Sequence, residues 1–171
     1  MSPRETQQDT PDPIVFRYDV TREDRAVVRT IVASTGFFNP AEVEVAVELV
    51  DERLAKGPAS GYHFIFAEQG GRTSGYVCYG PIAGTAASYD LFWIAVDISV
   101  QRQGLGKVLL AESERLIRLG GGGRIYIETS NRGHYVSTRA FYERNGYTLE
   151  AVLKDFYAPG DDKAIYVKAV E

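Results

Sequence analysis

The chain has 171 residues, 19 basic and 23 acidic side chains, a formal charge of -4 and one cysteine. This length suits one domain with a sizeable core, and 44% hydrophobic with 25% charged residues is an ordinary globular composition. The lone Cys78 excludes an intrachain disulfide, no paired Cys/His spacing suggests a metal, no basic run offers a nucleic-acid footprint, and no apolar stretch reaches membrane length.

Residues 1–13 are mostly polar, include Pro3, Pro11 and Pro13, and read as a disordered lead-in to a single domain over 14–171. No charged-then-apolar leader opens the chain, so a cytoplasmic location is expected. Ile14 to Val20 is strand-like, with Thr21 as the expected cap of a helix from Glu23 to Ser34. Asn39-Pro40-Ala41-Glu42 then has the form of a helix start, with a capping side chain, proline at the first position and glutamate three residues later. The segment behind it is ambiguous, because Val43, Val45, Val47 and Leu49 alternate as in a strand, while Val43, Val47, Val50 and Leu54 form a helical stripe. The cap and the length to Lys56 favour helix. Three strand-like runs follow, His63–Glu68, Thr73–Gly80 and Ser88–Val96, the first two joined by a hairpin turn through Gly70-Gly71.

A long helix is expected from Gly104 to Leu119, stopped by four glycines, then a strand over Arg124–Thr129. Ser137 or Thr138 is the expected cap of a short helix ending at Asn145-Gly146. Tyr147–Tyr157 and Ala164–Val170 complete the chain as two strands joined by the loop 158–163. The unit strand–helix–strand through residues 88–129 is one crossover, so those strands are expected to be parallel, and the remainder are mostly hairpins. The fold class is therefore α/β (α+β): a mixed, mostly antiparallel sheet with helices on both faces.

The segment Val100-Gln101-Arg102-Gln103-Gly104-Leu105-Gly106-Lys107 carries the chemistry. Two glycines at a helix start let the backbone turn sharply, and the unpartnered N–H groups of the first turn favour an anion such as pyrophosphate. Arg102 and Lys107 add positive charge at the rim. The same glycines can also serve close packing alone. Two familiar phosphate loops do not match: the Gly-x-x-x-x-Gly-Lys-Ser/Thr pattern is absent, and Leu109 stands where a dinucleotide-binding third glycine would be.

Gln101-Arg102-Gln103-Gly104-Leu105-Gly106 resembles the Gln/Arg-x-x-Gly-x-Gly/Ala signature of the GNAT superfamily of N-acetyltransferases. Leu91–Val96 looks like that family's fourth strand, and Ala140-Phe141-Tyr142 with Asn145-Gly146-Tyr147 is similar to its downstream helix-and-turn signature. The resemblance is specific over residues 89–147. It implies a central parallel pair splayed around acetyl-CoA, with the amides of Gln103 to Lys107 on the pyrophosphate, Gln101 at the first signature position, and the pantetheine arm along Ile94, Ala95 and Val96. Asn131 fits a position that often bonds the cofactor arm, although an asparagine before arginine and glycine also suits a turn.

By the same resemblance Tyr142 matches the tyrosine that often protonates the leaving thiolate, its alternative being a ring packed on the sheet. Asp90 occupies a place where several relatives carry a catalytic glutamate, and Glu128 on the neighbouring strand competes for the role of general base. The acceptor side implied by the family runs from Gly36–Pro40 to the loop joining the last two strands. Phe37, Phe38, Asp155 and Tyr157 are its candidate substrate residues. Of two consecutive phenylalanines one is expected to face inward and the other to line a pocket. The expected activity is acetyl transfer from acetyl-CoA to a primary amine, a small molecule or a lysine side chain, by a monomer or homodimer. A non-catalytic CoA-binding protein and an acyltransferase for a longer acyl-CoA are the alternatives.

Overall fold

The computed structural model describes residues 12–170, so the expected lead-in lies largely outside the described residues. Among these residues seven strands form one sheet: β1 (Val15–Arg17), β2 (His63–Gln69), β3 (Arg72–Pro81), β4 (Ser88–Val96), β5 (Arg124–Ser130), β6 (Thr148–Ala158) and β7 (Asp161–Ala169). Their order across the sheet is β1-β2-β3-β4-β5-β7-β6, and every pair is antiparallel except β4 with β5.

Among the described residues four α-helices cover the two faces: α1 (Asp24–Ser34), α2 (Pro40–Lys56), α3 (Leu105–Leu119) and α4 (Val136–Arg144). On one face Val28, Ile31 and Val32 of α1 and Val43, Ala46, Val47 and Val50 of α2 pack on Phe64, Phe66, Tyr76 and Ala95. Cys78 is fully buried there, and burial pushes its thiol upward, so it behaves as a small apolar residue. On the other face Leu105, Leu109, Leu110 and Ile117 of α3, joined by Tyr142 of α4, pack on Ile65, Val77, Leu91, Ile125, Ile127 and Tyr166.

The segment that alternates both ways is a helix because its start is fully capped. Asn39 Oδ1 accepts from the Glu42 amide at 2.9 Å, and Glu42 Oε2 accepts from the Asn39 amide at 2.8 Å. The β2–β3 hairpin turns through Gly70 and Gly71, both at positive φ as a two-residue turn of this hand requires. No helix among the described residues is long and apolar enough to cross a membrane.

Three expectations are corrected. Thr21 does not cap α1: its amide and hydroxyl both donate to Asp24 Oδ2, and the helix begins only at Asp24. Neither Ser137 nor Thr138 caps α4, because a 3-10 turn over Gly133–Tyr135 leads straight into a helix that starts at Val136. The six-residue loop before the last strand shrinks to Pro159-Gly160, with β7 beginning at Asp161. Side-chain bonds make this turn tight, since Asp155 Oδ1 accepts from the Gly160 amide at 2.7 Å and Asp162 Oδ1 accepts from the Asp155 amide at 2.8 Å. The two edges of the sheet are β1 and β6, and the last strand, β7, is flanked on both sides.

Candidate active site

The parallel strands β4 and β5 pair only over Ser88–Asp90 and Arg124–Tyr126. Beyond Asp90, β4 remains paired with β3 alone, and beyond Tyr126, β5 remains paired with β7 alone. A gap therefore opens in the middle of the sheet. The β3–β4 register passes from Tyr79↔Leu91 to Cys78↔Trp93, leaving Phe92 as an extra residue that bends β4 where the gap starts. Alternate residues of Leu91–Val96 turn their backbone N–H and C=O groups away from β3 and into this gap. Ile94 and Val96 pack toward α3, and Ala95 is buried under α1 and α2.

The glycine-containing loop closes one end of the gap. Asp97 fixes its entry by accepting from the Ser99 amide at 2.9 Å, the Ser99 hydroxyl at 2.6 Å and Arg72 Nη2 at 3.0 Å. Gln101 Nε2 donates to the Val96 carbonyl at 3.0 Å, so this side chain ties the loop to the end of β4. Arg102 (φ 63°) and Gly104 (φ 84°) both adopt the left-handed conformation, which is uncommon for arginine. Leu105 anchors the helix start in the core, while Arg102, Gln103 and Lys107 are exposed. A Cβ on Gly106 would touch the Phe141 ring at 3.5 Å, and one on Gly104 would meet nothing within 4 Å.

No described residue accepts from the amides of Gln103, Gly104, Leu105, Gly106 or Lys107. Open space above Gly104 and five unpartnered donors at the positive end of α3 fit a pyrophosphate.

Tyr142 lies in the same buried cluster as Leu105, with Ile94 and Val96 packed against it. Its ring meets Phe141, Tyr147 and Tyr166 at centroid distances of 5.5, 6.0 and 6.1 Å. Burial pushes its hydroxyl above the ordinary tyrosine value, so it stays protonated and available as a donor. The Asn131 amide donates to the Asp162 carbonyl at 2.9 Å, and its side chain is exposed just past β5.

Leu91, Ile125, Ile127 and Ala164 face α3, so their strand neighbours Asp90, Tyr126, Glu128 and Lys163 face the opposite side. There α1 and α2 cover β2 to β4. Lys163 is a functional candidate that the sequence conceals, because Asp161-Asp162-Lys163 reads as loop while the residue lies in β7. Its side chain is 9% exposed, and Nζ lies 2.6 Å from Glu128 Oε2 and 3.5 Å from the centre of the Phe156 ring. Asp90 is partly buried, and burial, then Glu128, raises its carboxyl above the ordinary value against a smaller lowering by Lys163.

The rim comes from four elements. Phe37 stacks on His134 and packs beside Tyr135, whose hydroxyl donates to the Phe37 carbonyl at 3.2 Å. Phe38 turns inward instead and packs on Trp93 at 5.0 Å. Tyr157 is pushed up to about 12 by burial first, then by Glu128, Asp161, Tyr135 and Glu42, groups that share its neighbourhood. Asp155 spends its Oδ1 on the hairpin, and Asp161 is buried against the Ser130 hydroxyl and Arg132. Among the described residues no group of three or more His, Cys, Asp and Glu side chains is placed to hold a metal ion.

A split parallel pair whose gap ends at a glycine-rich helix start calls for comparison with known acyl-CoA enzymes. Residues 60–149 match the family described as acetyltransferase (GNAT) domain. A crystal structure of a GNAT-family protein from Desulfovibrio desulfuricans is 51% identical, covers 93% of this chain and 100% of its own, and superposes with a TM-score of 0.91. The chain belongs to the GNAT family. Two more distant structures share the fold. The ribosomal-protein-S18-alanine N-acetyltransferase from Escherichia coli is 18% identical, covers 93% of this chain and 95% of its own, and has a TM-score of 0.73. The paia N-acetyltransferase from Thermoplasma acidophilum, solved with coenzyme A, is 18% identical, covers 92% and 99%, and has a TM-score of 0.69. No functionally curated sequence matches this GNAT protein at a significant level.

Proposed function

We propose that this GNAT protein transfers an acetyl group from acetyl-CoA to a primary amine by direct attack in a ternary complex. The observation that carries the reading is the meeting of the β4–β5 gap with the unpartnered amides at the start of α3. Those amides, with Arg102 and Lys107 at the rim, hold the pyrophosphate. The gap-facing backbone groups along the stretch Ile94-Ala95-Val96, those of Ile94 and Val96, hold the pantetheine arm, with the Asn131 side chain beyond β5. Acetyl-CoA, when bound, supplies an acyl group activated as a thioester.

The chain's own groups then have three tasks. An alkyl ammonium ion is neutral in only about one molecule in a few thousand at pH 7, so a base must take its proton. Asp90 serves, through water because its side chain is short, and its raised carboxyl makes it a better acceptor. A gap-facing N–H among residues 94–96 donates to the carbonyl oxygen as negative charge develops there. The Tyr142 hydroxyl donates to the departing sulfur.

Gly104→Val tests the cradle. A β-branched residue at φ 84° is strained by about 1–3 kcal/mol and fills the space above the loop. Calorimetry is expected to show CoA affinity reduced by about tenfold or more, with a folded protein. Unchanged affinity would remove the loop from the site. The function itself is tested by free-thiol release from acetyl-CoA across monoamines, polyamines, amino acids, aminoglycosides and lysine peptides. Amine-dependent release is expected. CoA binding without release from acetyl-CoA or longer acyl-CoAs would make the protein a non-catalytic CoA binder, and release only with a longer acyl-CoA would change the donor.

A further inference from the structure

We infer that Lys163 selects the acceptor class: it cancels Glu128 and leaves Asp90 as the uncompensated carboxylate on the floor, suiting an amine with one positive charge on an apolar or aromatic body. This rests on the reading that the face bearing Asp90 receives the acceptor. A lysine is rarely buried without a partner, since an unpaired ammonium ion in an apolar setting is costly. Here the ammonium group has Glu128 at 2.6 Å and the face of Phe156 at 3.5 Å. Its backbone is held on both sides, opposite Ser130 of β5 and Leu153 of β6, so the charge is fixed in place.

The other acidic groups near this floor are already engaged. Asp161 is matched by Arg132 at 3.3 Å and takes the Ser130 hydroxyl, Glu42 accepts the Asn39 amide, and Asp155 accepts the Gly160 amide. Asp90, Glu128 and Lys163 together carry one net negative charge when ionised. A single ammonium ion finds a partner in Asp90, whereas a second one on the same molecule meets Lys163 and is repelled. The surroundings suit the remainder of such an acceptor, because Phe156 and Tyr157 are about half exposed beside Lys163 and Phe37 stands at the rim. Polyamines and aminoglycosides, with several charges and polar bodies, fit poorly.

Binding measures this selection without requiring turnover. The probes are 2-phenylethylamine and spermidine, titrated by calorimetry into protein saturated with CoA, with thiol release from acetyl-CoA recorded alongside. The unaltered protein is expected to prefer the monoamine. Lys163→Met exposes Glu128 as a second free carboxylate and is expected to move the affinity ratio toward spermidine by about tenfold. Glu128→Gln leaves the floor neutral and is expected to weaken both amines, while the double variant regains the original net charge and the original ratio. Lys163→Arg retains the charge and is expected to retain the preference.

A lysine that only packs the hairpin would move both affinities together and leave the ratio alone. An unchanged ratio in folded Lys163→Met overturns the proposal; should that variant not fold, failure of the double variant to regain the ratio, or no effect of Glu128→Gln, overturns it. No binding of either amine to the unaltered protein also overturns it. A ratio that shifts as expected upholds the charge selection whether or not thiol is released, and absence of release across the whole amine panel and the longer acyl-CoAs sinks the transferase reading instead.

Discussion

Asp90→Asn is expected to lower kcat/KM for the amine by about 100-fold or more at pH 7 while raising the melting temperature. Both effects come from one carboxylate held where it is unwelcome. Asp90 makes no side-chain hydrogen bond to a described residue, is partly buried, and faces Glu128, so its charged form is disfavoured in the folded chain. Its folded-state pKa lies above the unfolded value. The cost is therefore fully present above the folded pKa and disappears once the pH falls below the ordinary aspartate range. Asparagine keeps the size and removes the charge. The gap in melting temperature between variant and parent is expected to be widest near neutrality and to close on acidification. Steady-state rates and melting curves across pH check both halves. An unaltered rate would take Asp90 out of the chemistry, and a lower melting temperature at neutral pH would make it a structural group.

Tyr142→Phe is expected to lower kcat by about 10- to 100-fold, the worth of one hydrogen bond to a charged group, with little change in CoA affinity. The ring has neighbours on three sides that phenylalanine satisfies equally, and no described residue bonds the hydroxyl. Stability should therefore hold, which separates this hydroxyl from a purely structural tyrosine. Burial raises the hydroxyl's pKa, so it is a weaker acid than a free tyrosine and acts first as a hydrogen-bond donor to sulfur. Single-turnover rates isolate the chemical step. If they match the parent, the leaving sulfur has another donor.

Local signals with their own chemistry were legible in the sequence. The reciprocal cap of Asn39 and Glu42 decided a segment whose periodicity pointed both ways, and the turn glycines 70 and 71 marked their hairpin. The loop from Gln101 to Lys107 was visible because two glycines two apart ahead of a helical stripe are a sequence feature. The extent of the β4–β5 seam was not, since the point at which two parallel strands part depends on the bulge at Phe92 and on what each strand pairs with behind it. Nor could the sequence say that Phe38 rather than Phe37 turns inward, where it packs on Trp93 of β4 on the same face of the sheet. Lys163 was hidden for a related reason. Asp161-Asp162-Lys163 has the composition of a solvated turn, and only the cross-strand bonds of Asp155 and Asp162 draw the strand back to include it. Polar residues in sequence look alike whether they meet water or one another.

The short seam also has a mechanical consequence. Three residue pairs between β4 and β5, the covalent path through α3 and the packing of α3 on both sides join a four-stranded half of the sheet to a three-stranded half. Beyond Asp90 no ladder sets the width of the gap, which is left to the side chains of α3 packed on both halves. A ligand arm hydrogen-bonded along β4 would act as a brace between two plates, and the angle at which it sets them would carry to the rim formed by Phe37 and the β6–β7 hairpin. Loading of the donor side and the shape offered to the acceptor would then be linked through the tilt of the two halves.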